Sequence, residues 1–386
     1  MESSPAIDEV SAEGLYEEMR GGAPLFILDV RNEDEFASWQ IEGVRRVPTV
    51  NVPYFAFLEE EEASLAQVPR DRTVTVVCAK GGSSAFIAGL LAERGIRARN
   101  LQGGMIAWGD LHVTTPVSSG PGAAVALVQV NRIGKRCLSY FIASAGQAVA
   151  VDPARHLAWY TALAQSSGAS ITGVLDTHLH ADHLSGGPGL AQSLGISYYI
   201  RLDDMAGARF SYAALDDGAR LRLGSSIVEI ITMHTPGHTP GSTSVLIDGR
   251  YLLTGDTLFV NHVGRPDLGA KGEEWAQLLY RTLFERMAAL PDDVLILPAH
   301  FTSMTEMRAD GIVGTTLGDA RAQNPAFQMH TEGEFVAYVL EHLAPQPPVY
   351  HEIRRANLGQ MILDEEHAIE AELGPNQCAA ALPRRP

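Results

Sequence analysis

Four short apolar runs in this chain each end in a histidine or an aspartate, and that recurrence limits the fold more than any other feature. "SITGVLDT" (170–177) runs straight into "HLHADH" (178–183), which holds His178, His180, Asp182 and His183. "SSIVEIITM" (225–233) leads into "HTPGHTPGS" (234–242) with His238, "RYLLTGD" (250–256) ends on Asp256, and "DVLILPAH" (293–300) ends on His300. Short apolar, β-branched runs read as buried strands. Ligand-type residues at their ends place a site at one edge of a sheet pair, where loops converge. Neutral imidazoles and carboxylates suit borderline divalent metals such as zinc, iron or manganese. Spacing alone leaves open whether the set serves one metal, two, or only a polar turn. His112, His156, His330, His342, His351 and His367 stand apart and read as surface or core residues. His234 and His262 lie near the motifs but match no ligand position.

At 386 residues the chain exceeds the ~250–300 at which single cores stop growing, so two domains are expected. Residues 1–112 alternate strands, "LFILDV" (25–30) and "TVTVVC" (73–78), with helices, "SAEGLYEEMR" (11–20), "PYFAFLEEEEASLAQV" (53–68) and "SSAFIAGLLAERG" (83–95). Such alternation predicts an α/β domain with a mostly parallel sheet and helices on both faces. "HVTTPVSSGPGAA" (112–124) has no periodicity and reads as the connection, with the linker at 113–122. The second domain is expected over 123–386, closing in a helical segment and a tail, "NQCAAALPRRP", frayed at its last residues.

A formal charge of −17 argues against non-specific binding to nucleic acid or anionic membrane. No run approaches the ~18–20 apolar residues that span a bilayer. The N-terminus lacks the basic start and apolar stretch of a secretory signal. Cys78, Cys137 and Cys378 are too few and too far apart for a disulfide framework, which predicts a cytoplasmic, reducing setting.

One cysteine stands out. Cys78 ends an apolar strand, and the loop "CAKGGSS" then opens a helix. Loop N–H groups and the helix N-terminus are expected to point at the sulfur and stabilise a thiolate or persulfide, with Lys80 adding positive charge. Cys137 lies in an apolar strand pattern and Cys378 in the tail, and both read as structural.

Taken in order, "HLHADH", "PGHTPGS", "TGD" and "PAH" resemble the metallo-β-lactamase superfamily over about residues 123–355. The resemblance implies an αββα sandwich with the metal site at one edge of the two sheets. Two branches share these ligands. In glyoxalase II-like thioesterases the full set, including His180, Asp182, His183 and His300, holds two metals, here two zincs, that activate water against a thioester. In persulfide dioxygenases His178, His238 and Asp256 would hold one Fe(II), and the other four would orient ligands and water. "VGRPDL" (263–268) is similar to a persulfide dioxygenase segment in which the arginine, here Arg265, contacts the thiol substrate. The segment 324–357 also resembles that branch. Phe301, Thr302 and Ala326 replace residues usual on its thiol-binding surface, so the thiol is glutathione or another low-molecular-weight or protein-bound one.

The first ~110 residues resemble rhodanese-type sulfurtransferases in "LDVRNEDEFASWQIEGVRRVP" (28–48), the Cys78 loop and "NLQGGMIAW" (100–108). Asp29, Arg31 and Glu35 then read as structural. Ala79 and Ser83 stand where many active members carry arginine, which predicts weak turnover of dianionic thiosulfate. Together the resemblances imply an iron-dependent persulfide dioxygenase coupled to sulfur transfer. It would use a persulfide, O2 and sulfite or thiosulfate, as a homo-oligomer like its relatives. The alternatives are a two-zinc hydrolase and a first domain that only binds or docks.

Overall fold

Three parallel strands form the centre of the first sheet in this computed structural model, which describes residues 7–117, 125–223 and 229–380. Thr73–Val77 lies between Leu25–Asp29 and Ala98–Leu101, with Thr49–Asn51 and Glu9–Val10 at the edges, and every neighbouring pair is parallel. Alternate side chains go to opposite faces. Leu28, Val74 and Val76 therefore pack on Ile87 and Leu91 of helix Gly82–Glu93. Ile27, Val77 and Leu101 share the other cluster with Leu15, Tyr16 and Met19 of helix Ala12–Gly21.

The run expected as one helix over 53–68 is two, Tyr54–Glu59 and Glu61–Leu65, because Glu60 leaves helical geometry at φ −133° and ψ 57°. The break falls inside four consecutive glutamates, where like charges three apart oppose a continuous helix.

A seven-stranded sheet and a six-stranded sheet make up the rest. The seven-stranded one includes Ala126–Arg132, Cys137–Ser144, Gln147–Val151 and Ser170–Leu175; the other includes Glu229–His234, Thr243–Ile247, Tyr251–Gly255 and Leu295–Pro298. The linker expectation needs correction. His112–Pro116 is the edge strand of the seven-stranded sheet, antiparallel to Ala126–Arg132, with His112 opposite Arg132 and Pro116 opposite Val128. An edge strand tolerates a proline, which is why the stretch looked aperiodic. Residues 118–122 of the expected linker and 123–124 after it lie outside the described residues, as does the start of the 225–233 run.

One apolar cluster runs through both parts of the chain, joining Tyr16, Trp39 and Trp108 to Ile133, Leu138 and Met307. Trp39 Nε1 donates to the Gly134 carbonyl at 3.1 Å. At the other end, the segment after helix Glu365–Ala371 does not fray before 380: Cys378 is fully buried and Ala379 bridges Gly264. Among the described residues, no helix is long and apolar enough to cross a membrane.

Candidate metal centre and sulfur loop

The strand Ser170–Leu175 delivers His178 from one sheet, and three strands of the other deliver His238, Asp256 and His300. The two sheet edges meet very closely. Thr243 N donates to the Thr177 carbonyl at 2.8 Å. A Cβ on Gly255, whose φ is +52°, would stand 2.6 Å from Thr177 Oγ1. Only glycine permits that approach, and it brings Asp256 against the His178 loop.

His178 Nε2 lies 3.6 Å from Asp256 Oδ2, and His238 Nε2 lies 3.4 Å from the same oxygen. All three atoms are buried and lack a hydrogen-bond partner. Metal–ligand bonds of about 2.0–2.2 Å place neighbouring ligand atoms roughly 3–3.5 Å apart, so the trio fits a divalent ion. The outer nitrogens are already engaged. His178 Nδ1 is 2.9 Å from Thr177 Oγ1, which donates to Asp152 Oδ2 at 2.9 Å. His238 Nδ1 donates to the Arg265 carbonyl at 2.9 Å. Burial holds both imidazoles below the usual histidine range, hence neutral and able to bind metal.

The second set behaves differently. His300 sits between two carboxylates, with Nδ1 2.5 Å from Asp256 Oδ1 and Nε2 2.9 Å from Asp182 Oδ2. Burial opposes its protonation, but the two carboxylates overcome burial and push its pKa well above normal. His183 Nδ1 is 3.1 Å from Asp182 Oδ1. His180 turns away from the trio, its Nε2 3.1 Å from Asp152 Oδ1. Burial lowers its pKa, yet Asp152 raises it to about 9. Asp182, His183 and His300 also form a possible metal group with Cys137, their ligand atoms within 4.8 Å of one another.

Several supporting residues were not singled out from the sequence. Asp152, at φ +51° after strand Gln147–Val151, accepts from Thr177 N, Thr177 Oγ1 and His180. Asp204 accepts from Leu179 N, Thr239 Oγ1 and Gly241 N, and so ties the two histidine loops together. Asn357 Nδ2 donates to the carbonyls of His180 and His183. Each is a single polar residue with no motif around it. The one available signal was the aspartate closing "AVAVD" (148–152).

Three expectations need revision. The guanidinium of Arg265 is buried and fully engaged, by Asp267 Oδ1 and Oδ2 at 2.7 and 2.9 Å and by the carbonyls of Ala344 and Gln377. It grips the C-terminal segment, while its own carbonyl orients His238. Lys80 lies at the surface, its Nζ 3.9 Å from Glu366 in an exposed pair. Cys137 and Cys378 are not remote packing residues. Cys137 Sγ donates to Asp182 Oδ2 at 3.3 Å, and Cys378 shares a group with Asp256 and His300, ligand atoms within 4.8 Å. Burial raises both thiol pKa values, Cys137 to about 11.

In the first domain, Cys78 Sγ accepts from Gly81 N at 3.1 Å and lies 3.0 Å from Ser84 Oγ, which also reaches Asn100 Oδ1 at 2.7 Å. The helix Gly82–Glu93 starts directly behind the loop. Asp29 and Arg31 form a buried ion pair at 2.6 Å that braces the Trp39 carbonyl, a structural role.

This centre and loop define two protein classes in one chain. The profile of the metallo-β-lactamase superfamily matches residues 132–300, and that of the rhodanese-like domain matches 11–111. Mitochondrial persulfide dioxygenase ETHE1 of Homo sapiens is 32% identical over 232 residues, 59% of this chain and 85% of that protein. A hydroxyacylglutathione hydrolase of Polaromonas is 34% identical over 173 residues, 43% of this chain and 62% of that protein. Among solved structures, ETHE1 from Myxococcus xanthus aligns with TM-score 0.53 and 26% identity, over 60% of this chain and 97% of its own. A Staphylococcus aureus metallo-β-lactamase aligns with TM-score 0.57 and 28% identity, over 63% and 74%. The chain belongs to the metallo-β-lactamase superfamily, with a rhodanese-like domain ahead of it. Its relatives within that superfamily include both persulfide dioxygenases and hydroxyacylglutathione hydrolases.

Proposed function

We propose that the protein is a persulfide dioxygenase with one iron, held by His178, His238 and Asp256. The observation that carries the reading is the pairing pattern. Three buried ligand atoms lie together without partners, while Asp182 is closely approached by His183 Nδ1 at 3.1 Å and by His300 Nε2 at 2.9 Å. A two-histidine, one-carboxylate face suits Fe(II), which when bound supplies O2 and sulfur ligation at its open positions. The balanced reaction is R–S–SH + O2 + H2O → R–SH + SO3²⁻ + 2H⁺, with the outer sulfur giving four electrons to O2.

The chain's own residues do the positioning. Thr177 and the Arg265 carbonyl fix the two imidazoles with Nε2 inward, and His300 holds Asp256 by its other oxygen. Burial of the whole centre excludes bulk water. Cys78 carries sulfane sulfur in the first domain, and tethering raises its local concentration near the second. A reducing cytoplasm would keep all three cysteines as free thiols.

The four-residue group Cys137, Asp182, His183 and His300, with the hydrolase relatives, supports a second reading as a two-zinc thioesterase. Metal content of anaerobically purified protein, paired with O2 uptake on adding a persulfide, separates them. About one iron per chain with persulfide-dependent O2 uptake supports the dioxygenase. About two zincs with no uptake overturns it.

A further inference from the structure

The segment between helix Glu365–Ala371 and residue 380 is laid across the metal centre. Asn376 N donates to the Lys135 carbonyl at 3.0 Å, Arg265 N to the Cys378 carbonyl at 2.8 Å, and Ala380 N to the Val263 carbonyl at 2.8 Å. The Arg265 guanidinium, the group expected to meet a thiol substrate, instead holds the carbonyl of Gln377. The side chain this strap delivers is a thiol, fully buried, within 4.8 Å of ligand atoms of Asp256 and His300. Asp256 Oδ2 is buried and lacks a hydrogen-bond partner, so that corner is built to receive more than the thiol.

We propose that Cys378 is the carrier of the sulfur to be oxidised, so that the substrate at the metal is the enzyme's own persulfide, Cys378–S–SH. The inference rests on the dioxygenase reading and names its substrate class. Geometry favours a persulfide over the bare thiol. Cys378 groups with Asp256 and His300 and not with the His178, His238 and Asp256 trio, so its sulfur stands off the trio's centre. One further sulfur extends the side chain by about 2.05 Å. The strap thus fills the place of a small thiol and presents its sulfur from inside the protein.

Loading is a redox-neutral sulfur transfer: R–S–SH + Cys378–SH → R–SH + Cys378–S–SH. The Cys378 sulfur attacks the outer sulfur, the donor S–S bond breaks, and the departing thiolate takes the Cys378 proton. Because the thiol is buried, the strap has to lift for this step and reseat after it. Oxidation then follows the balance already given, Cys378–S–SH + O2 + H2O → Cys378–SH + SO3²⁻ + 2H⁺, and regenerates the thiol.

The test uses the full iron-loaded chain and glutathione persulfide as probe. The protein is treated without O2, freed of excess persulfide and mapped by peptide mass, and a gain of about 32 Da, one sulfur, is expected on the Cys378 peptide. Admitting O2 should remove that mass and release about one sulfite per loaded chain. C378S, with its iron content and melting temperature checked, should show neither the adduct nor the sulfite burst. Wild-type protein that consumes O2 while Cys378 never gains sulfur, or C378S at the wild-type rate, overturns Cys378 as carrier and leaves the dioxygenase standing. An adduct that forms and survives O2 overturns the dioxygenase reading itself, and this proposal with it.

Discussion

Thr177→Val is the most informative perturbation of the metal centre, because it deletes one oxygen and leaves every proposed ligand in place. With His178 Nε2 facing the metal, the ring proton sits on Nδ1 and is donated to Thr177 Oγ1, which in turn donates to Asp152 Oδ2. Valine is nearly isosteric but breaks both bonds. Losing the partner that orients a metal-binding histidine typically costs 10–100-fold in affinity, or about 1.4–2.8 kcal/mol. The same change leaves a buried N–H and a carboxylate oxygen short of one partner each, at about 1–3 kcal/mol per group. The backbone link from Thr243 N to the Thr177 carbonyl survives, so the sheets stay joined.

The assay is competition for Co(II) or Zn(II) against a chromophoric chelator, with thermal unfolding of the metal-free protein alongside. Thr177→Ser keeps the hydroxyl and loses about one methyl's burial, roughly 0.8 kcal/mol, so it should restore affinity without full stability. Wild-type metal affinity in the valine variant would show that the Thr177–Asp152 chain does not orient His178. Equal loss in the serine and valine variants would assign the effect to packing.

Three further outcomes are expected. Gly255→Ala should destabilise the protein by about 1–3 kcal/mol in denaturant unfolding, since its Cβ would meet Thr177 Oγ1 at 2.6 Å from a left-handed backbone. Thiosulfate:cyanide transfer should be weak, because Ala79 and Ser83 bring no charge to the Cys78 loop; turnover typical of active rhodaneses would refute this. Acid should loosen the contact between the domains. Burial raises the pKa of both Asp110 and Glu372, but the His156 hydrogen bond and Arg132 overcome it for Asp110, and Arg132 and Lys135 do so for Glu372, holding each at about 2. Both values are depressed, so their stabilisation is complete above about pH 5 and is lost as the pH falls toward 2. It is on the order of 3 kcal/mol for buried Glu372 and less for the partly exposed Asp110. Arg132→Met should shift the acid limb of a stability–pH profile to higher pH, and an unmoved limb would refute the assignment.

The ligand residues were legible because each ends an apolar strand, and strand ends in a two-sheet fold converge. His178, His238, Asp256 and His300 meet for that reason, whichever metal they hold. What spacing could not reveal was how the ligands divide. His180 sits two residues from His178, yet it turns to Asp152, a residue 28 positions away. The division depends on hydrogen bonds from distant strands, and these leave no periodic trace. The edge strand at His112–Pro116 escaped for a related reason, since an edge needs only one buried side and tolerates proline. The burial of Cys378 beside the centre was not legible, because nothing in a short tail after a helix shows the groove that receives it.

That groove is shaped by both domains. Arg132 reaches Asp110, at the end of the first domain, with one nitrogen and Glu372, at the root of the strap, with the other. Arg155 adds a second hold on Glu372 and one on Glu365. Lys80, two residues from Cys78, touches Glu366 on the same C-terminal helix. The helix that begins the strap therefore stands beside the sulfur loop of one domain, and the strap passes the metal centre of the other. A change that frees this helix from the first domain removes restraints on the segment that covers the second site.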